Sequence, residues 1–343
     1  MRTLPAILFS LTLLHAIPAP AGENLPGYDR LDIRAGHRAG LVEGSLWYPA
    51  GSTTYQSMIG DDAAFSGTPA LVGPTIASGK YPLFLLSHGS GGNMDNLSWL
   101  SSALVEGGAM VLAVNHQGST SGDSSPRRSI HVEDRAADLS AALDRLLADE
   151  AFAVHVDRER IYALGFSLGG ATAFHLGGLR MDRRLYADWC RTPGERATDC
   201  RFFESGGVDP SNLHEGFEND LRDTRIKGVV AIDPGLTRGM SEASIDTLDL
   251  PVLILQLGED ESLWPAIDTG PNGSRLAERL SRARRVSIPD AHHFSFLGLC
   301  KEGAQALLEA VDEDPICTDP EGADRSTTHD RISGTILSWI RER

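Results

Sequence analysis

The chain of 343 residues carries 31 Lys and Arg against 47 Asp and Glu, a net charge of −16, with 41% hydrophobic residues and with Gly and Pro spread without a short period. That length supports a large core, and the composition excludes collagen-like, disordered and repeat organisations. The acidity comes without any block of like charges, which argues against a nucleic-acid or anionic-membrane surface and mainly confers solubility.

The first residues read as a targeting segment. Arg2 gives a short positive start, residues 4–16 are uncharged, and Ala19-Pro20-Ala21 fits a small-x-small cleavage site, so residues 1–21 are expected to be a signal peptide. The run is short of the ~20 apolar residues of a spanning helix and holds His15 and Pro18. Residues 22–343 are then expected to be an exported single domain, periplasmic or secreted, with no membrane span. In an oxidising compartment Cys190, Cys200, Cys300 and Cys317 suggest two disulfides, and the pairs Cys190/Cys200 and Cys300/Cys317 close the shortest loops. No Cys-x-x-Cys or His-x-x-x-His spacing accompanies them, so no metal is expected.

Strand and helix signals then alternate, which predicts a doubly wound, mostly parallel sheet with helices on both faces. Residues 41–48 alternate with period two and stop at Pro49, an early antiparallel strand, whereas residues 49–80 read as loop. Apolar runs bounded by turn residues predict buried parallel strands over 83–87, 110–115, 160–165, 228–232, 252–257 and 285–288. Helices are predicted over 96–106, 131–148, 168–179, 275–281 and 332–341. Residues 180–224 break this rhythm and read as a lid-like insertion over the carboxyl edge of the sheet, where open α/β folds bind ligands.

Three sheet-edge positions carry chemistry. Gly165-Phe166-Ser167-Leu168-Gly169 lies between a strand and a helix, the setting of a nucleophile elbow in which flanking glycines permit the tight turn. The strand ending at Ser87 runs into His88-Gly89-Ser90-Gly91-Gly92, whose free N–H groups suit an oxyanion hole, with Ser90 and Leu168 as the expected donors. It lacks the Gly-Lys-Ser/Thr of a phosphate loop. After the last strand, His292-His293 offers a base, and adjacent loop residues do not easily share one pocket, so one of the two is expected to be structural or solvent-facing. His155, His175 and His214 have no such context, whereas His116, at a strand end, is a candidate for lining the pocket.

Ser87 to Gly92, Val114-Asn115-His116, Gly165 to Thr172, Ala231-Ile232-Asp233-Pro234 and Ala291 to Phe296 together resemble the α/β-hydrolases grouped as dienelactone-hydrolase-like and platelet-activating-factor-acetylhydrolase-like proteins. The similarity runs over about residues 41–299. It implies an α/β-hydrolase fold and a serine hydrolase of small carboxylic esters with a Ser-His-Asp triad, no metal and no organic cofactor. Dienelactone hydrolases carry Cys at the elbow where this chain has Ser167, which argues against dienelactone as substrate. The Phe-x-Phe after the second histidine selects His293, within the same resemblance. For the acid, Asp233 matches the acetylhydrolase-like placement and is the first choice. Most α/β-hydrolases place the acid in a Gly-x-x-Asp-x-x-x-Pro turn, which here reads Gly258 to Pro265 with Glu261 at that position; Glu261 is the alternative and Asp260 comes last.

The expectation is thus an exported serine esterase, with Trp189, Phe202, Phe203 and Phe217 of the insertion narrowing the acyl pocket toward short esters. A lipase, polyesterase or peptidase would use the same triad. An inactive binding scaffold is the reading from a different class.

Overall fold

In the computed structural model, residues 25–191, 197–260, 262–311 and 313–343 are described. The expected signal peptide and Glu261 lie outside the described residues, and no helix among the described residues is long and apolar enough to cross a membrane.

Twelve strands occur among the described residues, in chain order: β1 (Gly27–Arg34), β2 (Leu41–Tyr48), β3 (Gln56–Ile59), β4 (Thr68–Val72), β5 (Tyr81–Ser87), β6 (Met110–Val114), β7 (Ser119–Thr120), β8 (Asp123–Ser124), β9 (Val156–Phe166), β10 (Gly228–Ile232), β11 (Val252–Leu257) and β12 (Ala283–Ile288). β7 and β8 form a two-residue ribbon, and the others make one sheet in the order β12-β11-β10-β9-β5-β6-β2-β1-β4-β3. The six strands from β12 to β6 are parallel, while β2 joins antiparallel to both β6 and β1.

Side chains alternate across a strand, so a strand covered on both faces must be apolar throughout. Leu83 and Leu85 of β5 accordingly enter one core with Leu139, Leu143 and Phe174, whereas Phe84 and Leu86 enter the other with Leu100, Ile336 and Trp339. The helices Val132–Leu147 and Leu168–Gly177 therefore cover one face, and Ser98–Glu106 and Arg325–Arg341 cover the opposite one.

The sheet extends further than the sequence predicts. β3 and β4 fall inside the stretch read as loop; β3 is the edge strand and β4 lies between it and β1, and Pro69 is tolerated because β4 pairs with β1 only from Leu71 onward, leaving one side of Pro69 without a ladder. β1, outside the sequence prediction, buries Leu31 and Ile33 and exposes Arg30, Asp32 and Arg34. The helix predicted over 275–281 is a single turn, Leu276–Arg279, and the C-terminal helix begins earlier, at Arg325, where the Asp324 side chain accepts the Thr327 N–H. Between β9 and β10, residues 180–224 form the helices Arg183–Cys190 and Thr198–Ser205 and two 3₁₀ turns, with Cys190 bonded to Cys200. The second disulfide joins Cys300 to Cys317.

Candidate active site

β9 ends at Phe166, and the next residue turns so sharply that Ser167 has φ 55° before the helix Leu168–Gly177 begins. A non-glycine residue in this region is strained and is held by its surroundings. Those surroundings are backbone: Ser167 donates its N–H to Ile232 at 2.9 Å and accepts the Gly235 N–H at 2.9 Å. The flanking glycines are sterically required. A Cβ on Gly165 would lie 1.9 Å from the Gly169 carbonyl oxygen, and one on Gly169 would lie 2.1 Å from that of Ser87. The hydroxyl is thereby raised above the carboxyl edge of the sheet at the start of a helix.

His293 stands in a 3₁₀ turn after β12 and places Nε2 3.1 Å from Ser167 Oγ. Its Nδ1 lies 3.0 Å from Asp233 Oδ2. Asp233 follows β10, is fully buried, and has φ 42°; its Oδ1 accepts the Leu257 N–H at 2.9 Å and the Gln256 side-chain amide at 2.8 Å. Both carboxylate oxygens are thus fixed, one by the neighbouring strand and one by the imidazole. Phe166 packs against the His293 ring at 4.5 Å between centroids, and Trp264, 41% exposed, lies 5.0 Å away. His292 turns elsewhere: its Nδ1 accepts the Phe294 N–H, and its Nε2 meets the Thr318 carbonyl. Asp260 pairs with Arg285 instead of any histidine.

The glycine-rich loop after β5 runs against the serine at Gly89, where a Cβ would come within 3.2 Å of Ser167 Cβ. Ser90 beside it is exposed. Leu168 is the first residue of its helix, so its N–H has no intrahelical acceptor.

No protein-family model and no curated protein matches the chain. Solved structures do. A ferulic acid esterase from Streptomyces cinnamoneus aligns over 93% of this chain and 90% of its own at 19% identity, with a TM-score of 0.61. A dienelactone hydrolase from Anabaena variabilis covers 84% of this chain and 95% of its own at 15% identity and a TM-score of 0.44. A fungal esterase from Rhizomucor miehei covers 92% and 83% at 11% identity and 0.49. The chain has the α/β-hydrolase fold.

Beneath the loop this α/β-hydrolase fold buries a polar network that sequence reasoning missed. Arg135, 1% exposed, donates from Nε to Thr172 Oγ1 at 3.0 Å, from Nη1 to Ser119 Oγ at 2.7 Å, and from Nη2 to Ser87 Oγ and the His88 carbonyl. His88 Nδ1 donates to the Gly89 carbonyl, and its Nε2 accepts the His116 N–H. Ser87, His116 and Asp138 even repeat the serine–histidine–aspartate order, with contacts of 2.9 and 3.0 Å, but all three are fully buried. His116, the candidate for lining the pocket, is instead held inside by Asp138. Burial and the nearby Arg135 lower its pKa to about 4, keeping the ring neutral. Burial would raise the Asp138 carboxyl, yet hydrogen bonds from Arg38, His116 and His37 hold it below the usual range.

Gln256 and Trp264 were also missed. The signal for Gln256 was one amide in an otherwise apolar strand; Trp264 sat in a loop read only for its carboxylates. Of the four insertion aromatics, Trp189, Phe203 and Phe217 are buried in the core, and Phe202 alone is exposed.

Proposed function

We propose that the protein is a serine hydrolase of carboxylic esters acting through an acyl-enzyme. The observation that carries this reading is the unbroken series Ser167 Oγ, His293, Asp233, with contacts of 3.1 and 3.0 Å, on a strained elbow at the sheet edge. In the reaction Ser167 Oγ attacks the ester carbonyl while His293 Nε2 takes the hydroxyl proton. Asp233 holds the Nδ1–H tautomer and stabilises the imidazolium. The tetrahedral oxyanion is received by the N–H groups of Ser90 and Leu168. His293 then gives the proton to the departing alcohol, and a water molecule, deprotonated by the same ring, releases the acid.

Two disulfides support an exported chain, periplasmic or secreted, because such bonds persist in oxidising compartments. Trp264 beside His293 supports a confined acyl site and thus short, soluble esters as substrates. A fluorophosphonate probe must label wild-type protein at Ser167 and leave Ser167→Ala unlabelled, with kcat on p-nitrophenyl butyrate falling roughly 10⁴-fold or more. Retained activity in Ser167→Ala sinks the mechanism, and faster turnover of C16 than C4 esters overturns the substrate class.

A further inference from the structure

On the flank of the helix Val132–Leu147, two imidazoles and a carboxylate from distant parts of the chain converge outside the triad. His131 precedes the helix and Glu133 lies in its first turn, whereas His214 belongs to the insertion, in front of the 3₁₀ turn Glu215–Glu218. His131 Nδ1 lies 3.1 Å from Glu133 Oε1, and His214 Nε2 lies 2.7 Å from that same oxygen. The two rings are 4.2 Å apart between centroids. All three ligand atoms fall within 4.8 Å of one another, and the residues are half-buried.

The geometry points to a divalent transition-metal site, best suited to Zn²⁺, with His131 Nδ1, His214 Nε2 and the Glu133 carboxylate as ligands and water completing the shell. Two imidazoles and one carboxylate are ligands Zn²⁺ takes at about 2.0–2.2 Å, and tetrahedral ligation separates ligand atoms by roughly 3.3 Å. The two imidazole-to-carboxylate separations, 3.1 and 2.7 Å, need to open only by tenths of an ångström. Hydrogen bonding by itself leaves the cluster incomplete, because Glu133 Oε2 is buried without a partner. A cation at the focus gives both carboxylate oxygens something to face and removes the need for two adjacent rings to share one acceptor. Gly216 provides the room, since a Cβ there would lie 2.7 Å from Glu133 Oε1. Half-buried histidines leave an entry path for the ion. Occupancy would fasten residues 180–224 to the helix under them, 81 residues away along the chain between His214 and Glu133.

The test uses the full, tag-free chain freed of metal by chelation and titrated with Zn²⁺ alone in a calorimeter at about pH 7.5. The expected result is one Zn²⁺ per chain with Kd at or below about 1 μM, weakened at least about 100-fold in His214→Ala and in Glu133→Gln and unchanged in His155→Ala. A second measurement needs no variant. In wild-type protein, Zn²⁺ must protect His131 and His214 from diethylpyrocarbonate, read by peptide mass spectrometry, while His155 stays reactive. Absence of stoichiometric binding, undiminished binding in both variants, or no protection of the two histidines overturns the site.

Discussion

Gln256 donates its side-chain amide to Asp233 Oδ1 at 2.8 Å, while its own carbonyl oxygen accepts both the N–H of Thr269 at 2.7 Å and its hydroxyl at 2.8 Å. The acid of the proposed triad is thus oriented by a second strand, and through it by the loop beyond. Gln256→Leu removes one fixed donor to a buried carboxylate, and kcat is expected to fall about 10-fold while KM stays close to wild type. An unchanged kcat would leave Leu257 N–H alone as sufficient support.

Asp233→Asn keeps the shape but no longer selects the Nδ1–H tautomer of His293. The expected loss is on the order of 10³ to 10⁴ in kcat. Glu261→Gln should cost much less, and the reverse ranking in steady-state kinetics would move the acid to the turn after β11.

Arg135 ties four segments together through the planar fork of donors that only a guanidinium carries. Arg135→Met leaves the carbonyl of His88 and the hydroxyls of Ser87 and Ser119 without that donor. Destabilisation of about 1–3 kcal/mol is expected from chemical denaturation, from neutral acceptors left buried without a donor, together with lower kcat from a loosened loop after β5. Arg135→Lys restores charge without the fork and should recover only part of either. Equal stability of all three proteins would show the network to be dispensable.

Buried neutral histidines set an acid limit. His116, His175 and His329 are each pushed down to about 4, chiefly by burial, and His88 falls well below its ordinary value. Between about pH 6.5 and pH 4 the unfolded chain takes protons that the native one refuses, so stability falls as pH falls through that window, by up to about 1.4 kcal/mol per unit for each such ring. His37, whose pKa is raised by its hydrogen bond to Asp138, opposes this in part. Urea midpoints measured at pH 7, 5.5 and 4.5 should decrease in that order; a flat series would mean that the rings are protonated in place.

The elbow was legible because it is local: a strand, five residues and a helix carry the whole signal. The buried strands were legible because coverage on both faces demands unbroken apolar runs, as in β10 and β11. β3 and β4 were not, since four or five partly exposed residues in the last two strands of the sheet leave no such demand. Arg135 and Asp138 sit three apart on one amphipathic helix and look like ordinary surface charges until the distant partners Ser87, His88, His116 and Thr172 are brought round them. The turn of Asp233 toward His293 was not legible either, because the sequence places carboxylates after both of the neighbouring strands β10 and β11 and does not say which way a side chain there points.

Ser167 and Asp233 stand at the ends of adjacent parallel strands, so the ladder that builds the sheet also sets their spacing. His293 is anchored differently. Its loop leans on chain that comes later, through His292 to the Thr318 carbonyl and Ser295 Oγ to Asp319, and Cys300 and Cys317 clamp that later segment in place. The proposed triad thus rests on two supports, the sheet that spaces Ser167 and Asp233 and a disulfide-held segment against which the His293 loop lies. Reduction of Cys300–Cys317 would therefore loosen a support of the histidine loop while leaving the spacing of Ser167 and Asp233 to the sheet.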